Sequence, residues 1–161
     1  MHKKENFVQS MTLEGGSELL IRCMQKTDVP EVAKLEAEIF SVPWSEKSFL
    51  EEVEREERLF VVAYIGEQLA GYCGVIPSFD EADITNVAVA PWTRRKGVAE
   101  KMLTTAMEWA GKNGVDAYTL EVRKGNAGAI ALYEKLGFVS EGIRRNFYEK
   151  PVEDAVIMWK R

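Results

Sequence analysis

The sequence predicts one mixed α/β domain, a mostly antiparallel central sheet with one parallel strand pair and helices against it. Three observations carry that expectation. The chain has 161 residues, the length of an ordinary single domain. Two runs of β-formers, residues 59–65 and 68–75, are separated only by Gly66-Glu67, which reads as a hairpin and therefore as antiparallel pairing. Further along, a strand at 84–89, a basic loop with a glycine, a helix and a strand at 118–122 follow in order. A crossover of that kind makes its two strands parallel.

Residues 1–18 mix charges, amides and Gly15-Gly16 without a period, and are expected to be a flexible tail before a single domain over residues 19–161. A short strand follows at 19–24. Thr27-Asp28-Val29-Pro30-Glu31 opens a helix with a capping side chain, a proline in the first turn and an early carboxylate. Val32, Leu35 and Ile39 form its buried stripe. Ser45, after Pro43-Trp44, starts a second helix with Phe49, Leu50 and Val53 on one side. Its glutamates, among them Glu46, Glu51, Glu52, Glu54 and Glu56, make a solvated face. After the hairpin and the strand at 84–89, residues 98–113 form a helix that buries Ala99, Met102, Leu103, Ala106 and Ala110 and stops near Gly114. Residues 118–122 are a strand, 127–136 a helix stopped by Gly137, and 138–143 and 155–159 two closing strands.

Hydrophobic residues make up 46% of the chain and charged residues 29%, near globular averages, which excludes wholesale disorder. Twenty-one lysines and arginines against 26 acidic residues give a net charge of −5. That argues against a direct nucleic-acid partner, whose binders usually show a basic footprint. It permits attraction for a basic peptide. The single histidine, His2, lies in the tail, and Cys23 and Cys73 lack metal-ligand spacing. No metal site and no Ser–His or Cys–His catalytic pair is therefore expected, and both cysteines read as buried free thiols. No apolar run approaches the length of a membrane span, and residues 1–18 lack the core of a signal peptide. The expected setting is cytoplasmic, without a membrane partner, as a monomer or weak dimer.

Chemistry points first to Arg94-Arg95-Lys96-Gly97-Val98-Ala99, between a strand and a helix. Small residues at 97 and 99 let a ligand approach the backbone, and the free N–H groups of the first helical turn face outward at the positive end of the dipole. With three cations this makes a diphosphate cradle; the alternative is a solvated basic loop around a tight turn. Neither a GxxxxGK[ST] nor a GxGxxG pattern occurs, so the diphosphate is not that of a nucleoside triphosphate or NAD.

Arg94-x-x-Gly97-x-Ala99 after Asn86-Val87-Ala88-Val89 resembles the acetyl-CoA loop of the GNAT acetyltransferase superfamily. The second half is similar to its ribosomal-protein-alanine N-acetyltransferase branch, the RimI family. The resemblance rests on Pro43-Trp44-Ser45-Glu46, Leu120-Glu121-Val122-Arg123 with Asn126, Ala131-Leu132-Tyr133-Glu134 before Gly137-Phe138, and Gly142-Ile143-Arg144-Arg145-Asn146-Phe147-Tyr148 with Glu153-Asp154-Ala155. It spans about residues 19–160. The chain departs from the pattern at Gly125, where serine is common, at Phe147-Tyr148, where paired tyrosines are common, and at Arg94, where glutamine often stands.

The resemblance implies the GNAT acyl-CoA N-acyltransferase fold, with the parallel pair splayed to hold acetyl-CoA. Its pantetheine arm would pair with the backbone of Val87, Ala88 and Val89, its diphosphate would rest on Arg94, Arg95, Lys96, Gly97, Val98 and Ala99, and Asn126 would lie nearby. Glu121 is a carboxylate in mid-strand, on the face opposite Tyr118, Leu120 and Val122. By resemblance it is the general base, acting through water; the alternative is a structural carboxylate paired with Arg123 or solvent. Tyr133 would contact the cosubstrate and protonate the departing thiolate, against the commoner fate of a core aromatic with a wet tip. Backbone N–H groups around Val89 would polarise the carbonyl.

Trp44, Glu46 and Tyr148 are candidate walls of a peptide groove, although Trp44 also suits a hydrophobic staple and Tyr148 a surface aromatic. An α-amino group has a pKa near 7.7–8.0 against about 10.4 for lysine, which makes its neutral form easier to reach by about 3.4 kcal/mol. The expected function is acetylation of a protein N terminus, the alanine of a small-subunit ribosomal protein, by direct transfer. The rivals are acetylation of lysine, polyamine or another small amine, and a non-catalytic CoA-binding module.

Overall fold

A computed structural model describes residues 3–161; His2, placed in the tail above, lies outside them. Among the described residues the strands are β1 (Val8–Thr12), β2 (Glu18–Cys23), β3 (Leu59–Ile65), β4 (Gln68–Ser78), β5 (Glu81–Val89), β6 (Ala117–Arg123), β7 (Val139–Tyr148) and β8 (Glu153–Lys160). They form one sheet in the order β1-β2-β3-β4-β5-β6-β8-β7. Every neighbouring pair is antiparallel except β5 and β6. The helices are α1 (Val29–Ile39), α2 (Glu46–Val53), α3 (Val98–Lys112) and α4 (Ala127–Lys135).

Period-two alternation explains why β3 is apolar throughout. Leu59, Val61 and Ala63 point to one face, where they join Ile21, Val75 and the buried stripe Val98, Met102, Leu103, Ala106 and Ala110 of α3. Phe60 and Val62 point to the other, where they meet Val29, Val32 and Leu35 of α1 and Phe49 of α2. A strand covered on both faces has no solvated side to mark with polar residues. No helix among the described residues is long and apolar enough to cross a membrane.

The expected tail is ordered from residue 4 onward. Lys4–Asn6 makes a 3-10 turn and β1 pairs with β2 from Val8↔Arg22 to Thr12↔Glu18. Two apolar side chains anchor it, Phe7 at 8% exposure and Leu13 at 3%. The buried Lys4 ammonium donates to the carbonyls of Val53, Arg55 and Arg58 at 2.9, 2.5 and 3.1 Å; Val53 is the last residue of α2, whose carbonyl lacks an intrahelical partner, and the other two lie in the turn beyond it. The strand itself is mostly exposed, so it carries no apolar period to read.

The cap of α1 also differs from expectation. Asp28 makes no capping hydrogen bond to the helix. Its carboxylate instead accepts both Arg22 guanidinium nitrogens at 2.7 and 2.8 Å, the Gln25 N–H at 2.8 Å and the Tyr64 hydroxyl at 2.8 Å. A bidentate charged pair outcompetes a neutral N–H donor.

Candidate active site

The site begins where the parallel pair stops pairing. β5 and β6 are in register only at Glu81↔Ala117, Ala82↔Tyr118 and Asp83↔Thr119, although β5 continues to Val89 and β6 to Arg123. Beyond those three pairs the strands part, leaving the β6-facing edge of β5 unpaired along Val87, Ala88 and Val89. A bulge accompanies the divergence: the β4–β5 register jumps from Tyr72↔Ala88 to Gly74↔Thr85, so Asn86 and Val87 oppose the single residue Cys73. Asn86 sits at φ +52°, a left-handed conformation that asparagine tolerates better than most residues. Gly71 serves the same junction, because a Cβ there would lie 2.6 Å from the Ala88 carbonyl oxygen.

The strand then turns through Pro91–Thr93 into the basic loop. Arg95 (φ +66°) and Gly97 (φ +82°) are both left-handed, a conformation that glycine adopts without strain. Gly97 is the N-cap of the fifteen-residue α3, and a Cβ on it would meet nothing within 4 Å. Arg94, Arg95, Lys96 and Gly97 are exposed, Ala99 is half-buried, and Val98 buries its side chain while its N–H stays at the helix start. The Arg94 guanidinium folds back to donate to the Val89 carbonyl at 3.2 Å. The loop thus follows the end of β5 that lies beyond its pairing with β6.

Glu121 is exposed on β6, on the face opposite Leu120 and Val122. Its ion partner is Arg144 on β7, at 3.5 Å, not Arg123. Arg123 is taken by Glu153 at 3.1 Å and donates to the carbonyls of Glu149 and Pro151 at 2.8 and 3.0 Å and to the Ser41 hydroxyl at 3.3 Å. It also covers the Tyr148 ring, 4.5 Å from its centroid. One arginine thereby joins the end of β6, the segment after α1 and the β7–β8 hairpin.

Tyr133 on α4 is buried and packs edge-on against Phe138 at 5.9 Å. Its hydroxyl has no hydrogen-bond partner among the described residues. Burial pushes the phenol above its ordinary value, and nearby Cys73 and Tyr148 add to that. Tyr148 is half-buried; burial first and then the Glu121 carboxylate push it up to about 12, with Arg123 opposing. Cys73 is a free thiol pushed by burial up to about 12, which leaves it without thiolate character. Cys23, the other free thiol, is only half-buried.

Two predicted side chains have structural partners. Trp44 stacks on Phe49 and Phe60 at 5.3 and 5.8 Å; it stands one residue before the Ser45 cap and meets the fourth helical residue, so it is a hydrophobic staple. Asn126 caps α4 by accepting the Ala129 N–H at 3.2 Å. Glu46 is exposed at the start of α2. No group of three or more His, Cys, Asp or Glu among the described residues could hold a metal ion.

The sequence reading gave no role to Glu36 or Asn86 and offered Arg123 only as a partner for Glu121. Glu36 is 2% exposed on α1 and accepts from the Tyr72 hydroxyl (2.9 Å), the Asn86 amide (3.1 Å) and the Trp44 N–H (3.0 Å). Its signal was its place four residues after Val32, on the buried stripe. Arg123 and Asn86 stood in the segments that carry the family resemblance, but their partners lie far along the chain.

Comparison with known proteins agrees with this architecture. Residues 29–138 match the acetyltransferase (GNAT) family model. The chain is 37% identical over 140 residues, 86% of itself and 93% of the relative, to the putative ribosomal protein bS18-alanine N-acetyltransferase of Bacillus subtilis. The crystal structure of the Escherichia coli ribosomal-protein-S18-alanine N-acetyltransferase superposes with a TM-score of 0.81 at 36% identity, covering 88% of this chain and 92% of that one. Arabidopsis thaliana Naa50, solved with the bisubstrate analogue CoA-Ac-MVNAL, shares the fold at 19% identity with a TM-score of 0.79, over 89% of this chain and 98% of that one. A parallel pair that opens after three residue pairs, a glycine-capped basic loop after β5, and these matches over most of the chain lead to one conclusion: the protein belongs to the GNAT acetyltransferase family.

Proposed function

We propose that this acetyltransferase moves the acetyl group of acetyl-CoA onto the α-amino group of a protein N terminus, the alanine of a small-subunit ribosomal protein. The observation that carries the reading is the free edge of β5 along Val87, Ala88 and Val89, which ends in the Arg95–Gly97 turn. That edge offers backbone partners to an extended pantetheine arm, and the turn offers N–H donors and three cations to a diphosphate. The names of relatives at 36% and 37% identity support the acceptor.

In this reading the neutral amine attacks the thioester carbon, and the carbonyl oxygen is polarised by N–H groups near Val89. The proton leaving the amine passes through water to Glu121, which is exposed and within reach of solvent. As the C–S bond breaks, the sulfur takes the proton of the Tyr133 hydroxyl; the phenolate regains one from solvent. A phenol raised by burial keeps its proton across neutral pH, so it is available to donate. Direct transfer is supported by Cys73, fully buried and protonated. Tyr148 and Glu46 line the acceptor side, with the backbone of Trp44 rather than its ring.

The test is CoA release from acetyl-CoA with a basic peptide bearing a free N-terminal alanine, beside its α-blocked twin. Turnover with the free peptide alone is expected. Turnover with both moves the acceptor to lysine. Acetyl-CoA binding without thiol release from either peptide returns the chain to a small-amine acceptor or a binding module.

A further inference from the structure

Glu36 has no part in the chemistry of the proposed transfer. It is a buried carboxylate, and among the described residues no cation pairs with it. Burying a charge without a counter-charge costs stability unless several hydrogen bonds offset it. Here three do. Oε1 accepts from the Tyr72 hydroxyl on β4, and Oε2 accepts from both the Asn86 amide on β5 and the Trp44 N–H before α2. All three partners are donors, and a carboxylate presents only acceptors, so no other side chain of this length satisfies the set.

The partners lie on two sides of the site. Asn86 is the left-handed bulge residue, and its amide oxygen is held in turn by the Thr85 hydroxyl at 2.7 Å. The residues that follow it, Val87 to Val89, are the edge proposed for the acetyl donor. Trp44 closes the segment that includes Ser41, which Arg123 ties to the acceptor side. A single carboxylate therefore bonds the backbone of one wall and the bulge that shapes the other.

We propose that Glu36 is a positioning residue for acetyl transfer, one that fixes the donor-binding bulge of β5 and the acceptor-side segment 41–45 in a common frame. The inference rests on the transferase reading above. Glu36 touches neither substrate; it acts through Asn86 on the donor side and through the Trp44 N–H on the acceptor side.

The experiment is a cycle of E36Q, N86G and the double variant, with acetyl-CoA Kd measured by calorimetry without acceptor, and KM for peptide and kcat by thiol release. In E36Q an amide N–H must face at least one donor, so both the acetyl-CoA Kd and the peptide KM should rise, each about tenfold. N86G keeps the left-handed backbone but removes the tether, so the acetyl-CoA Kd rises while the peptide KM holds. Adding E36Q to N86G should then leave the acetyl-CoA Kd where N86G put it, yet still raise the peptide KM. A structural role alone lowers melting temperature and active fraction and moves neither constant.

Unchanged constants in folded E36Q, or effects on acetyl-CoA Kd that simply add, overturn the inference. If E36Q does not fold, N86G decides alone: an unchanged acetyl-CoA Kd overturns it. Failure of the transferase reading looks different, because then the wild-type protein itself binds no acetyl-CoA or turns over no amine. If it binds acetyl-CoA but turns over no amine, the Kd arm of the cycle still decides the donor-side half.

Discussion

Replacing Tyr133 with phenylalanine separates chemistry from architecture at this site. The ring is 6% exposed and keeps its edge-on contact with Phe138 at 5.9 Å when the hydroxyl is removed. That hydroxyl has no hydrogen-bond partner among the described residues, so its loss orphans no donor or acceptor. The stability change should stay within about 0.5 kcal/mol, and the melting temperature within about 2 °C for a domain of this size. Losing a general acid typically costs 10²–10⁴ in rate, about 2.7–5.5 kcal/mol of barrier. Thiol release at saturating substrates, calorimetric titration with acetyl-CoA and a thermal melt make the three readings. The expected result is a kcat lower by about a hundredfold or more, with Kd and melting temperature nearly unmoved. An acetyl-CoA Kd that weakens as much as kcat falls makes the tyrosine a wall of the pocket, and an unchanged kcat assigns the proton to another donor.

Three further outcomes are expected. Glu121→Gln should slow turnover most below about pH 7.5, where the α-amine is largely protonated, and progressively less above it; a defect uniform from pH 6 to 9 removes Glu121 as the base. Gly97→Ala forces an L-residue into φ +82°, which should cost about 1 kcal/mol, seen in a melt, and weaken acetyl-CoA binding several-fold by calorimetry, because the turn that leads into α3 shifts. Asp28 is pushed up by burial, but the Arg22 guanidinium, the Gln25 N–H and the Tyr64 hydroxyl outweigh that and hold its carboxyl below the ordinary value. Its contribution is therefore present above the unfolded value near 3.9 and is lost as pH falls through the folded one. Asp28→Asn should cost about 1.5–3 kcal/mol at pH 7, and denaturant melts of the two proteins should converge below about pH 4.

Where one physical cause dominated, the sequence was enough. The apolar run of β3, the Gly66-Glu67 turn, the stripe of α3 and the Ser45 cap each follow from local propensity and burial, and the structure places them at Leu59–Ile65, Val98–Lys112 and Glu46–Val53. The crossover made β5 and β6 parallel, as their connection requires. The glycine-capped loop was also legible, because close approach and a left-handed turn both demand a residue without Cβ. Less visible was β1, whose exposed strand shows no period and whose anchors, Lys4, Phe7 and Leu13, find their partners only across the fold.

Residue types and order alone therefore determined the mixed sheet and the family. Partnership was decided by tertiary structure. Arg123 stands two residues from Glu121 yet bonds Glu153, Ser41 and the β7–β8 hairpin, while Glu121 is met by Arg144. Trp44 turns its ring into the core and offers only its N–H to Glu36. Such choices depend on which donors and acceptors distant segments bring within about 3 Å, and hydrogen bonds of that length are set by packing across the sheet rather than by spacing along the chain.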